Sequence, residues 1–396
     1  MKIQFSPPDI SNEEINEVID ALKSGWITTG PKTKKLEKKV ASYCEADGAV
    51  CLNSQTACAE LTLRLLGIGE GDEVIVPAYT YTATASVVCH VGAKLVLVDS
   101  YPNKIEMDYD KLENAITEKT KAIIPVDVAG IPCDYDRIHQ IVEKKRTIFK
   151  PSNKIQEAIG RVVICEDAAH AFGASYKGNK IGSVSDFTCF SFHAVKNFTT
   201  AEGGAVTWKS IAGISDEDIY KKYQLFSLHG QSKDALSKMQ VGAWEYDVIG
   251  PWYKCNMTDV LASLGIAQMK RYPDMLLKRK KLIQLYNEQL EQSGIYYLNH
   301  YCDNYNSSGH LYITRLTEAD ENKRNIIIKK MGEQGIACNV HYKPLPMLTA
   351  YKNLGFKISD YKNAYDFYKN EITLPLHTLL SEEDVEYITS KLRKLL

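Results

Sequence analysis

Between residues 186 and 206 the sequence reads DFTCFSFHAVKNFTTAEGGAV. An apolar run ends in Ser191, Phe192 and His193, a loop carrying Lys196 follows, and Glu202-Gly203-Gly204 turns the chain into another apolar run. In open α/β sheets ligands bind outside the carboxyl ends of strands, which puts Lys196 where a cofactor would stand. A lysine amine forms Schiff bases with carbonyl compounds and is the usual anchor of pyridoxal phosphate. The plain alternative is a solvated loop lysine, and one lysine does not decide between the two.

A second segment, VVICEDAAHA over 162–171, runs four apolar residues into Glu166 and Asp167. A carboxylate at the end of a buried strand is costly without a partner. The protonated ring nitrogen of pyridoxal phosphate is such a partner, and an Asp beside it keeps the ring an electron sink. The alternative for Asp167 is a helix N-cap ahead of Ala168 and Ala169, and for His170 a core histidine. In Asn53-Ser54-Gln55-Thr56-Ala57, backbone N–H groups at a helix start and the hydroxyls of Ser54 and Thr56 could hold a phosphate. An ordinary Ser/Thr cap reads the same way. Tyr79 and Tyr81 follow an apolar run, and one of them could stack on a pyridine ring or simply pack.

The elements that must position these residues follow from periodicity. Short apolar runs recur at 49–52, 73–76, 94–98, 122–126, 162–165, 187–192 and 204–208, with helical patterns such as 56–66, 109–116 and 138–145 between most of them. Strands alternating with helices indicate an α/β domain with a mostly parallel sheet of about seven strands, covered on both faces. The last two runs are joined by a loop too short for a parallel crossover, so one of them is expected to be antiparallel. Ser11 and Glu14 form a capping box for a first helix, and Pro31 opens a second that runs to Cys44. A helix over 258–270 should stop before Pro273, and a charged helix over 273–292 should lead into a smaller C-terminal α+β domain. The expected division is 1–272 for the N-terminal segment and large domain and 273–396 for the smaller one. Residues 147–161 read as a polar surface excursion. Residues 242–257 hold Trp244, Tyr246, Trp252 and Tyr253, an aromatic loop that suits either sugar or nucleotide contact or a dimer interface.

Composition excludes several classes. A net charge of -1 over 396 residues offers no global basic field for nucleic acid. The lysines over 32–39 interleave with Leu36 and Val40 and suit a solvated helix face. No apolar run reaches eighteen residues, and residues 1–14 hold no apolar signal core, so neither a membrane span nor a leader is expected. The ten cysteines are scattered without C-x-x-C spacing, which fits reduced thiols in the cytoplasm and gives no metal site. A nicotinamide dehydrogenase would want G-x-G-x-x-G after the first strand, where 53–57 has no glycine.

These segments, in this order and spacing, resemble the sugar aminotransferases of the DegT/DnrJ/EryC1/StrS family, fold-type-I pyridoxal-phosphate enzymes. Further matches are GEGDEVIVP at 69–77, ICEDAAH at 164–170, CNMTD at 255–259 and LPLH at 374–377, and the resemblance runs from about residue 5 to the end. It implies Lys196 as the Schiff-base lysine, Asp167 as the partner of the pyridine nitrogen and Ser191 as a phosphate-binding serine. It also implies Tyr81 as the stacking aromatic, Gln55 and Thr56 beside Ser54 in the phosphate loop, and His170 near the cofactor's phenolic oxygen. Many relatives have a small residue at the position of Gln55. Asn256 would reach the phosphate of the neighbouring subunit, making a homodimer with shared active sites, and His341 sits in a loop that resembles one approaching substrate. The implied activity is transfer of an amino group from an amino acid, L-glutamate by analogy, through pyridoxamine 5'-phosphate to a nucleotide-linked keto-deoxy sugar, 4-keto ahead of 3-keto, in polysaccharide biosynthesis. Relatives with histidine in place of the lysine are dehydratases, and Lys196 favours transamination. A non-catalytic binding or regulatory protein on the same fold is the competing reading, and it has no need of Lys196, Asp167 and Ser191 together.

Overall fold

A computed structural model describes residues 2–233, 245–316 and 318–396; Trp244 of the aromatic loop lies outside them. The seven strands are β1 (Gly48–Leu52), β2 (Glu73–Pro77), β3 (Lys94–Val98), β4 (Thr120–Ile123), β5 (Val163–Asp167), β6 (Phe187–Ser191) and β7 (Gly204–Trp208). They form one sheet in the order β1-β7-β6-β5-β4-β2-β3. β7 runs antiparallel to both β1 and β6, and the remaining pairs are parallel. The antiparallel strand is the one whose connection is too short for a crossover. Successive residues face opposite sides: Val163 and Cys165 enter one hydrophobic core, Ile164 the other. A strand buried on both faces is mostly apolar on both, and polar residues it carries, such as Thr188 and Thr207, are hydrogen-bonded inside.

The chain past residue 258 departs from expectation. Asp259–Leu290 is one continuous helix with Pro273 inside it, where the sequence suggested two. Proline cannot donate to the carbonyl four residues back, but tertiary bonds hold both halves in line. Tyr272 donates to the Phe172 carbonyl at 2.6 Å, Arg279 to the carbonyls of Gly309 and Leu376 at 3.1 and 3.0 Å, and Tyr286 to that of Pro375 at 2.7 Å. At its start, Asp259 accepts the N–H groups of Gly30, Lys32 and Thr33 and so caps the helix Pro31–Cys44.

After this helix comes an antiparallel sheet of Ile295–Tyr297, Tyr312–Leu316 and Glu371–Leu374, with the middle segment central. Its core is shared with Ile3, which pairs with Ile336, so the first residues of the chain pack with its last third. The excursion over 147–161 holds a short helix, Lys154–Ile159, that docks on the sheet layer. Asn153 and Gln156 donate to the carbonyls of Leu65 and Leu66 at 3.1 and 2.6 Å. They thereby satisfy the carboxyl end of the helix Gln55–Leu65. No helix among the described residues is long and apolar enough to cross a membrane.

Candidate active site

A cavity of 370 Å³ opens at the carboxyl ends of β5 and β6. Ser54, Gln55, Thr56, Tyr81, His170, Ser191, Lys196 and His341 all line it. Asp167, the last residue of β5, is buried beside it, 4% exposed. Thr84 donates to Asp167 Oδ2 at 2.7 Å and the Ala169 N–H to Oδ1 at 3.1 Å. Burial pushes this carboxyl above its usual range, while those donors and the Lys196 charge pull it back. Burial likewise pushes Lys196 down to about 8, against the opposing pull of Asp167. A cation and an anion that each cost energy to bury thus stabilise one another, and the amine is partly neutral near physiological pH.

The wall opposite is the start of the helix Gln55–Leu65. Its four leading N–H groups lack partners inside the helix. The Ser54 side chain takes that of Ala57 at 3.1 Å and the Ser54 carbonyl that of Cys58 at 3.1 Å. The N–H groups of Gln55 and Thr56 remain, beside the hydroxyls of Ser54, Thr56 and Ser191. An N-terminus of this kind attracts a phosphate. The Nε2 of Gln55 is buried and makes no full hydrogen bond, but it lies near the Asp167 carboxyl and favours its charged form. Gly204 brings the helix start this close: a Cβ there would lie 2.6 Å from the Ser54 carbonyl carbon and from the Gln55 nitrogen.

His170 accepts the Ala129 N–H on Nδ1 at 3.2 Å, and its Nε2 lies 3.0 Å from the Tyr342 hydroxyl. Burial holds the ring well below the usual histidine range, with the Lys196 charge acting the same way. A neutral ring with Nδ1 accepting carries its proton on Nε2 and donates it to Tyr342. Ala129 presents its N–H from φ 63°, a left-handed conformation that costs an alanine ~1 kcal/mol. The His310 N–H, donated to the Ala129 carbonyl at 3.1 Å, helps hold it there. The His310 ring lies 4.3 Å from that of His170, and its Nδ1 is 2.9 Å from Asn197 Oδ1.

Tyr81 stands at the mouth, 59% exposed, with its ring 5.7 Å from that of Tyr342. Asn256 does not line this cavity. Its amide donates to Thr29 Oγ1 and to the Met257 carbonyl. Of the aromatic loop, Trp252 packs edge-on against Phe226 at 4.9 Å and Tyr253 lies under Arg64. Sequence reasoning missed Thr84, Ala129, His310 and Tyr342. Thr84 and Tyr342 fall inside segments it had singled out, so proximity was a usable signal; Ala129 and His310 gave none. Among the described residues no three His, Cys, Asp or Glu side chains gather as metal ligands would.

The DegT/DnrJ/EryC1/StrS aminotransferase family matches residues 8–393, and the chain belongs to it. Among solved structures it is similar to Spr1654 of Streptococcus pneumoniae, named as a sugar aminotransferase. In its PMP form that protein is 59% identical and superposes with a TM-score of 0.97, over 100% of this chain and 99% of that one. Its PLP form is 57% identical, also at 0.97, over 100% and 98%. The spore coat polysaccharide biosynthesis protein SpsC of Bacillus subtilis is 36% identical over 99% of this chain and 96% of its own length. The UDP-4-amino-4-deoxy-L-arabinose–oxoglutarate aminotransferase of Shewanella sediminis is 34% identical over 100% and 99%.

Proposed function

We propose that this chain is a pyridoxal-phosphate aminotransferase that moves an amino group from L-glutamate to a nucleotide-linked keto-deoxy sugar, at a 4-keto in preference to a 3-keto carbon. The observation that carries the reading is half-buried Lys196 coupled to the buried Asp167 carboxyl, beside a helix start where the N–H groups of Gln55 and Thr56 make no bond among the described residues. The residues fit the cofactor at each of its groups. The N–H groups of Gln55 and Thr56 with Ser54 and Ser191 suit the phosphate, Asp167 the ring nitrogen, Tyr81 a ring face, His170 with Tyr342 a phenolic oxygen, and Lys196 the carbonyl carbon.

When bound, pyridoxal phosphate supplies an electrophilic carbonyl and a ring that takes up carbanion charge. Lys196 serves twice. Its neutral amine is the nucleophile that holds the cofactor. With an amino donor bound, the same amine would be placed to take the proton from the donor's α-carbon and to return it. Its depressed basicity suits both tasks near neutral pH. Thr84, the Ala169 N–H and the Lys196 charge favour the charged form of Asp167 against its burial, and that carboxylate would hold a proton on the ring nitrogen.

The 4-keto preference and the glutamate–oxoglutarate couple rest on the name of the Shewanella relative. A homodimer belongs to the same reading by the resemblance, in which Asn256 would reach the phosphate of a neighbouring subunit; here its amide donates to Thr29 and Met257, outside this cavity. A cytoplasmic setting accords with ten free thiols and no disulfide. The test is optical. Protein purified with pyridoxal phosphate and freed of excess should show a visible band that fades into the near-ultraviolet on adding L-glutamate. A band indifferent to glutamate sinks the donor assignment, and no band in a folded protein sinks the cofactor assignment.

A further inference from the structure

His341 lines the cavity with one edge and turns the other away from it. Its Nδ1 lies 2.9 Å from Thr373 Oγ1, and Thr373 Oγ1 hydrogen-bonds Glu371 Oε1. The other carboxyl oxygen, Glu371 Oε2, accepts the backbone N–H of His341 itself at 2.9 Å. The ring lies nearly flat on Phe5, with centroids 5.4 Å apart and planes 19° apart. Tyr79 donates to the His341 carbonyl at 2.8 Å. Backbone, ring plane and one ring nitrogen are therefore all fixed, and Nε2 makes no hydrogen bond among the described residues. Glu371 and Thr373 are fully buried and have no access to substrate.

We infer that Glu371 and Thr373 are positioning residues that decide, through the single proton of the Thr373 hydroxyl, whether His341 presents a hydrogen-bond donor or an acceptor to the bound sugar. The bookkeeping is short. Glu371 Oε2 is committed as an acceptor, so a proton on this carboxyl must sit on Oε1. Glu371 then donates to Thr373, Thr373 donates to Nδ1, and the neutral imidazole carries its proton on Nε2, facing the cavity. With Glu371 ionised, Thr373 donates to Oε1, Nδ1 donates to Thr373, and Nε2 faces the cavity as a lone pair. One hydroxyl has one hydrogen, so these are the two arrangements in which that hydrogen is itself bonded to one of the two contacts. The imidazole stays uncharged throughout, since burial and then the Lys196 charge push it down to about 3. Burial pushes Glu371 up to about 8, against Thr373, the His341 N–H and Arg324, so both arrangements fall within an ordinary working range. The other titratable groups facing this chain are Tyr79, Cys338, Tyr342, His170, His310 and Lys196. Of these only Lys196 is set near 8 as well. The relay rests on the sugar-aminotransferase reading for its substrate and on the hydrogen bonds alone for its existence.

Nitrogen-15 spectra of histidine-labelled protein, purified with pyridoxal phosphate, distinguish the two tautomers of His341. Between about pH 6.5 and pH 9.5 the signal should move from the Nε2–H to the Nδ1–H form. Glu371→Gln, whose amide can only donate to Thr373, should stay Nε2–H at both ends. Thr373→Val should lose the pH response with Lys196 unaltered, which separates the relay from any change of charge at the lysine. One unchanging tautomer in the wild type, or a Thr373→Val variant that switches like it, overturns the relay. Kinetically, Thr373→Val should raise KM for the keto sugar about fivefold with kcat nearly unchanged, leave the glutamate half-reaction alone, and be rescued by Thr373→Ser. Equal damage to both half-reactions, or no rescue, overturns the substrate role. A tautomer change in a protein whose spectrum ignores glutamate supports the relay and counts against the transaminase reading, so the two fail separately.

Discussion

Ser191 and Lys196, with Asp167 buried behind them, belong to the cavity wall contributed by the large sheet; His310, His341 and Tyr342 stand on the wall contributed by the C-terminal third. The sheet wall is held by main-chain ladders. Asp167 pairs with Cys189 and Ser191 with Gly204, so each functional side chain lies within a few residues of a paired strand end. The other wall is held by side chains reaching across the sequence: Tyr342 to His170, His310 to Asn197, His341 to Glu371 and Thr373. A ladder fixes positions whatever the side chains are, and suits chemistry that must stay constant. Side-chain bonds can be rewired by single substitutions, and suit the recognition of a particular substrate. The difference predicts steep losses on the sheet wall and graded, substrate-dependent ones opposite.

The largest loss should come from Lys196→Ala. Removing nucleophile and general base together should lower turnover by about 10⁴-fold or more, measured with glutamate and a keto sugar, with no covalent cofactor trapped by borohydride. Asp167→Asn should follow at about 10²–10³-fold in kcat. It has a second signature: the carboxylate raises the basicity of Lys196. Without it, the half-point for reaction of the apoprotein's amine with an aldehyde should fall below about 8, read from the pH dependence of that rate. Gly204→Ala should cost about 1–3 kcal/mol of stability, seen as a lower melting temperature, because the new methyl meets the Ser54–Gln55 backbone. Tyr342→Phe should cost only ~1 kcal/mol, as a modest drop in kcat/KM with cofactor still bound. If Tyr342→Phe proves as damaging as Asp167→Asn, the division between the two walls fails.

Much of the sheet wall was legible because local sequence carried it. An apolar run ending in a carboxylate or a serine, followed by a Gly-Gly turn, states where a strand stops, and ligands gather where parallel strands stop. The short link before Gly204 likewise announced that one of the two strands it joins is antiparallel, and the structure makes that strand β7. The C-terminal wall was nearly silent: one histidine, His341, was singled out, and that by resemblance. Its partners lie 30 and 32 residues further on, and a buried glutamate in an apolar strand gives no sign of what it bonds.

Ala129 and Pro273 show the same limit in the backbone. Nothing local marks an alanine for a left-handed conformation, and everything local argues that a helix should stop before a proline. The bonds from His310 in one case, and from Tyr272, Arg279 and Tyr286 in the other, come from the folded chain. The sequence by itself determined the alternating α/β order, the strand ends and hence the places of Lys196, Asp167 and Ser191, because hydrophobic period and turn chemistry act over a few residues. Only the tertiary structure decided the unbroken helix through Pro273, the docking of 147–161 and the relay behind His341. Their energies come from contacts between segments far apart in the chain, and no local pattern records a partner that arrives from elsewhere.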